Sequence, residues 1–118
     1  MTTGVLHIPL TAFNAYGTGL GVSAHNLANV LTTNFRAGGT TYADLPGTSG
    51  VAASTSTSLA ARSAKQPLGT PGAAFTPSNT DVAKEMVNMI ATSRTYQANA
   101  KIVSTADSLL GMVIDMAV

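Results

Sequence analysis

The last third of the chain, Asp81 to Val118, carries apolar or small residues at alternating spacings of four and three. Val82, Met86, Met89, Ser93, Tyr96, Ala100, Val103, Asp107, Leu110, Ile114 and Ala117 form the series. This is a heptad seam with two polar interruptions, Ser93 and Asp107, and it predicts one long helix. Such a helix would run roughly 55 Å at about 1.5 Å per residue. A chain of 118 residues cannot cover that length by itself, so the helix needs a partner helix, other copies, or both. Ser78, Asn79, Thr80 and Asp81 are all good N-caps and predict where it begins. Asp81 and Glu85 also suit the positive end of the helix dipole.

A second seam lies near the other end. Leu6, Leu10, Phe13, Gly17, Leu20, Ala24, Leu27 and Leu31 alternate four and three, predicting an amphipathic helix within Val5 to Leu31. Proline is tolerated in a first helical turn, so Pro9 predicts a start between His7 and Pro9. Asn26 and Asn29 end the regular run, and Thr32-Thr33-Asn34 reads as a stop. Between the helices the period is lost. Gly38-Gly39, Pro46-Gly47, Pro67, Pro71-Gly72 and Pro77 punctuate the stretch. Val51 to Arg62 is rich in Thr and Val and reads as a short strand or hairpin arm, or else as a flexible link. The expected fold is mainly α: two long terminal helices in an antiparallel coiled-coil hairpin, with an irregular or short-β connection. The expected segments are 1–36, 37–77 and 78–118.

Only 9% of the residues are charged, against about 25% in ordinary soluble domains. Large apolar side chains are also sparse, with 5% aromatics and no Trp. A surface of Ser, Thr, Asn and Gly with so little charge is suited to being covered by neighbours. The net charge of +1 gives no nucleic-acid footprint. Absence of Cys excludes disulfides and thiolate metal sites. The opening MTTGVLHIPL lacks a basic region before an apolar core, so no cleavable secretory signal is expected, and no apolar run is long enough to cross a bilayer.

Nothing reads as a catalytic or cofactor site. Gly17-Thr18-Gly19-Leu20-Gly21 resembles a phosphate loop only faintly, because no strand precedes it and it lies inside a heptad pattern; packing glycines are the better reading. His7 and His25 have no ligand partners at metal spacing. Arg94 lacks an acid–base partner and reads as a structural hydrogen-bond donor. Polar residues along the last helix, among them Asn88, Thr95, Asn99, Thr105 and Ser108, suit bonds across a helix–helix contact. Two interaction readings follow: a self-assembling protein, or a small coiled-coil adaptor for a separate partner.

The residues then narrow the choice. Gly19-Leu20, Asn26, Ala28, Asn29, Thr32, Thr33, Phe35 and Arg36 resemble the N-terminal signature of the flagellar axial proteins of the rod and hook. Ser78-Asn79, Asp81, Glu85-Met86-Val87, Met89-Ile90, Arg94, Tyr96-Gln97-Ala98-Asn99, Lys101, Thr105-Ala106-Asp107 and Leu110 resemble the C-terminal signature. Asn34 stands where that family has Gly, and Asn is the next best residue for a left-handed backbone. Leu31 replaces a usual Asn or Asp, a change that favours a longer first helix.

The resemblance implies a structural subunit exported by the flagellar apparatus, with no enzyme activity, no cofactor and no membrane insertion. It implies packing of Leu6, Leu10, Phe13, Leu20 and Leu27 on Val82, Met86, Met89, Ile90, Tyr96, Val103 and Leu110, and contacts with further copies and other rod proteins. The short connection, with no room for outer domains, is most similar to a small proximal rod protein in the basal body. A hook-related axial protein is the alternative within the family.

Overall fold

The computed structural model describes residues 3–47, 49–57 and 76–116. The order is α1 (Thr3–Ala28), β1 (Gly38–Asp44), β2 (Val51–Thr57) and α2 (Val82–Met116). The fold is mainly helical, two helices joined through an antiparallel β-hairpin, as the periodicity predicts. Residues 58–62 of the expected extended arm, the prolines at 67 and 71, and Ala117 of the seam lie outside the described residues.

α1 starts at Thr3, upstream of the expected start, and runs through Pro9. The proline removes one backbone donor. Pro9 itself is buried. At the other end α1 unwinds after Ala28, so Leu31 does not lengthen it. Asn29 stops the helix through its side chain: its Nδ2 donates to the His25 carbonyl at 2.9 Å. Tightened turns follow, from Val30 N–H to the Leu27 carbonyl and from Thr32 N–H to the Asn29 carbonyl. Leu31 is left 93% exposed.

β1 and β2 pair from Gly38 opposite Thr57 to Asp44 opposite Val51. The hairpin lies along α1, from Asn26 back to Thr11. Near its base Gly38 exchanges bonds with Asn26. Near its tip the Val51 N–H donates to the Thr11 hydroxyl at 3.2 Å. In between, the Tyr42 ring packs on Tyr16 with centroids 5.0 Å apart, and its hydroxyl occupies the space that a side chain at Gly19 would need. The helix–helix contact falls on another side of α1, which is thus flanked by the hairpin and α2.

The two partners explain which α1 residues are covered. Ala12, Ala15, Gly19, Ser23 and Asn26 are buried. This stripe of small residues is offset from the leucine seam, since only small side chains let a hairpin and a helix both approach. Gly17 and Gly21 meet nothing, unlike Gly19. Accordingly Gly21→Ala should raise stability by about 0.5–1 kcal/mol in a chemical unfolding curve, through helix propensity alone. Gly50→Ala should lower it, because Gly50 has φ of 106° and faces the Thr11 side chain.

α2 has 35 residues and is about 52 Å long at 1.5 Å per residue. Asp81 caps it: the Lys84 N–H donates to its Oδ1 at 3.1 Å, and the Glu85 N–H to its carbonyl at 3.0 Å. Among the described residues, Thr95, Asn99, Thr105 and Ser108 make no hydrogen bond across to α1, unlike Glu85. Thr95, Asn99, Thr105 and Ser108 bond back to carbonyls one turn earlier, at 2.9–3.1 Å. A short polar side chain reaches its own preceding turn more easily than a neighbouring helix. Arg94 is exposed and makes no hydrogen bond among the described residues.

The α2 face toward α1 repeats every seven residues at Met89, Tyr96, Val103 and Leu110. Its other row runs through Glu85, Thr92, Asn99 and Ala106, one residue before the expected Met86, Ser93, Ala100 and Asp107. Met86, Ala100 and Asp107 are exposed. What turns the helix is Glu85, which reaches inward to a buried partner on α1.

Candidate functional site

That partner is Asn26, 1% exposed, and Glu85 is itself 7% exposed. The Asn26 Nδ2 donates to Glu85 Oε1 at 2.9 Å and to the Gly38 carbonyl at 2.8 Å. In return the Gly38 N–H donates to Asn26 Oδ1 at 2.8 Å. One carboxamide therefore joins α1, the base of the hairpin and the first turns of α2. It presents to Gly38 the donor and acceptor pair of a backbone amide, which is why an amide side chain fits here and an apolar one does not. A Cβ at Gly38 would lie in ordinary contact, 3.5 Å from both the Ser56 carbonyl and a Val22 methyl, so what the position contributes is its backbone amide.

A second set of bonds closes the chain just beyond. The Asn34 N–H donates to the Thr76 carbonyl at 2.8 Å, and the Thr76 N–H and hydroxyl both donate to Asn34 Oδ1. Arg36 donates to the Thr76 hydroxyl at 2.8 Å and to the Pro77 carbonyl at 3.0 Å. The Ala37 N–H donates to Asn79 Oδ1 at 2.7 Å. Residues some forty positions apart are thus held as neighbours, and the intervening stretch leaves and returns at one place. Asn34 has φ of 62°, the left-handed conformation the sequence implies. Asn34→Ala keeps the strained backbone and loses the Thr76 bonds, so it should cost about 1–2 kcal/mol in thermal or urea unfolding. Asn34→Gly should cost less, because it relieves the strain.

The remaining motif residues divide between support and surface. Asn29 and Thr32 cap α1, the Thr32 hydroxyl donating to Asn29 Oδ1 at 3.1 Å. Phe35 packs edge-on against His25 at 5.4 Å between centroids. Ala28, Thr33, Gln97 and Asp107 are exposed, and the Gln97 amide donates to the Ser93 hydroxyl on the same helix. Of the paired apolar residues, Phe13 meets Tyr96 with ring centroids 4.7 Å apart. Leu20, Leu27, Met89, Val103 and Leu110 are half-buried. Leu6, Leu10, Val82, Met86 and Ile90 are largely exposed.

Phe13 with Tyr96 and Asn26 with Glu85 set an antiparallel register. Carried along, it places Thr3 beside the region of Asp107. α2 therefore continues beyond the described start of α1, and Leu109, Met112, Val113, Ile114 and Met116 are exposed there. No helix among the described residues is long and apolar enough to cross a membrane.

Gly38 and Thr76 escape sequence reasoning, because Gly38 contributes only backbone and Thr76 as much backbone as hydroxyl, to partners far away in sequence. The pairing of Asn26 with Glu85 carries one readable signal. Both fall on inward positions once the second heptad is phased through Glu85 rather than Met86.

Comparison with known proteins bears on the same region. Residues 76–116 match the family described as flagellar basal body rod FlgEFG protein C-terminal. The match opens at Thr76, half of the closing cluster, and covers all of α2. The flagellar hook protein FlgE of Escherichia coli is 42% identical over 43 residues, 36% of this chain and 11% of that protein. The flagellar hook protein FlgE of Salmonella typhimurium shows the same identity and coverage. The chain thus spans about a tenth of the length of the curated relatives it matches. Its C-terminal helix and the residues that close onto it are thus similar to the C-terminal part of the flagellar rod and hook proteins.

Proposed function

We propose that this chain is a structural subunit of the proximal rod of the bacterial flagellar basal body. The observation that carries this reading is the match over residues 76–116 on a fold whose described residues form two helices and a hairpin. Leu6, Leu10, Val82, Met86 and Ile90, exposed in the single chain, contact neighbouring copies and other rod proteins. Phe13, Leu20, Leu27, Met89, Tyr96, Val103 and Leu110 hold the helices together. The motif residues Asn26, Asn34, Arg36, Asn79 and Glu85 fix the helix ends. Repeated head-to-tail contacts of this kind propagate helically and build a tube. The subunit reaches its site through the flagellar export apparatus.

Few large side chains are buried among the described residues, and each such burial is worth about 1.5–3 kcal/mol. Backbone ordering costs about 1–2 kcal/mol per residue, so assembly supplies burial that the monomer lacks. Helicity by circular dichroism is accordingly expected to rise with protein concentration; a fully helical dilute monomer would contradict this.

The identity to hook proteins supports a second reading, a small hook-related axial subunit. Deleting the gene separates the two. A rod subunit leaves basal bodies without a rod or hook, whereas a hook-related subunit leaves the rod complete. Normal flagella would remove both readings.

A further inference from the structure

We propose that the Asn26–Glu85 pair selects the helix register and thereby sets how far α2 extends past α1. The apolar contacts do not select it. On α1, Phe13, Leu20 and Leu27 repeat every seven residues. On α2, Met89, Tyr96, Val103 and Leu110 do the same. Sliding one helix by a heptad replaces Tyr96 opposite Phe13 with Val103 or Met89, another apolar residue of the same row. Small and polar residues in the second row, Thr92, Asn99 and Ala106, discriminate no better.

The Asn26–Glu85 pair is different, because it is the one side-chain bond between the two helices among the described residues. The bonds of Asn34, Arg36 and Ala37 to Thr76, Pro77 and Asn79 also occur once but join segments outside the helices. A heptad slip that brings Met89 opposite Phe13 carries Glu85 to the buried Gly19, away from Asn26; the opposite slip carries Glu85 past the end of α1 and leaves Asn26 facing Thr92. A single buried polar residue on an otherwise apolar seam is a known means of fixing register. Its cost falls on the slipped states: in the first a desolvated carboxylate has no partner, and in the second Asn26 loses its bond to Glu85. Each heptad of slip moves α2 by about 10.5 Å along its axis. The length of the apolar end beyond α1 is therefore set by a contact at the opposite end of the pair. Asn26 and Glu85 are in this sense specificity-determining positions for whatever covers that end.

The chain has no cysteine, so introduced pairs report register cleanly. The test uses the full chain, at the concentration where helicity is maximal, scoring only the monomeric cross-linked band. It reads the purified chain alone and stands apart from the flagellar reading. Phe13→Cys with Tyr96→Cys should cross-link under mild oxidation, and Phe13→Cys with Val103→Cys or with Met89→Cys should not. Adding Asn26→Leu and Glu85→Leu together should raise one of the slipped products at least tenfold while helicity is kept. Glu85→Gln, which retains an acceptor for Asn26, should keep the native product alone. Native-only cross-linking in the double leucine background would overturn the proposal. Loss of helicity there would overturn it equally, since the pair would then hold the fold together rather than choose among registers.

Discussion

Asn26→Leu is expected to lower the unfolding free energy by about 4 kcal/mol, measured by urea denaturation followed by circular dichroism. The substitution removes three hydrogen bonds at once. It leaves the Gly38 N–H and carbonyl and the Glu85 carboxylate in a region closed by α1, the hairpin and α2. Each buried polar group without a partner costs about 1–3 kcal/mol, and the leucine recovers part of this as apolar burial. Small domains have only about 5–15 kcal/mol in total, so the loss is a large fraction of the stability of the single chain. Asn26→Asp tests the same contact differently. It keeps an acceptor for the Gly38 N–H but sets a second carboxylate against Glu85, and should be at least as damaging at neutral pH. Glu85→Ala should cost less than Asn26→Leu, since Asn26 would still be tied to Gly38.

Met112→Asp combined with Val113→Asp should leave the single chain intact and weaken its self-association at least about a hundredfold. Both side chains are more than half exposed in the single chain, on the part of α2 that extends beyond α1. Surface substitutions of this kind shift monomer stability by about 0.5 kcal/mol or less. If a neighbouring subunit covers them, two burials of about 1.5–3 kcal/mol each are lost and two carboxylates must be desolvated. Sedimentation across a concentration series reads the association. Unfolding curves at low concentration read the monomer. Unchanged association would mean that this end of α2 faces solvent in the assembled state.

The two helices were legible because a heptad is a strong signal over 35 residues, and the Asp81 cap is written in the side chain that makes it. Heptad phase was harder to read. Hydrophobicity favours Met86 and Leu10 as inward positions, yet both are exposed. Two non-periodic facts decide the phase: a buried Asn26–Glu85 bond, and a hairpin that needs small residues on α1. The hairpin was half visible. Val51–Thr57 has strand chemistry, but Gly38-Gly39 at the head of β1 reads as a break. Only the structure shows that the Gly38 backbone is the partner of Asn26. The closing cluster of Asn34, Arg36, Thr76 and Asn79 joins residues some forty positions apart. Local sequence rules carry no information at that range.

The central claim is that this helical hairpin is a subunit of the flagellar axis. Its most direct test is mass spectrometry of purified basal bodies, with an epitope-labelled chain located along the axis by electron microscopy. The account predicts several copies per particle in the proximal rod, and their loss when Met112 and Val113 are both replaced by Asp. Recovery of the chain only outside the particles, with rods complete in its absence, would contradict it.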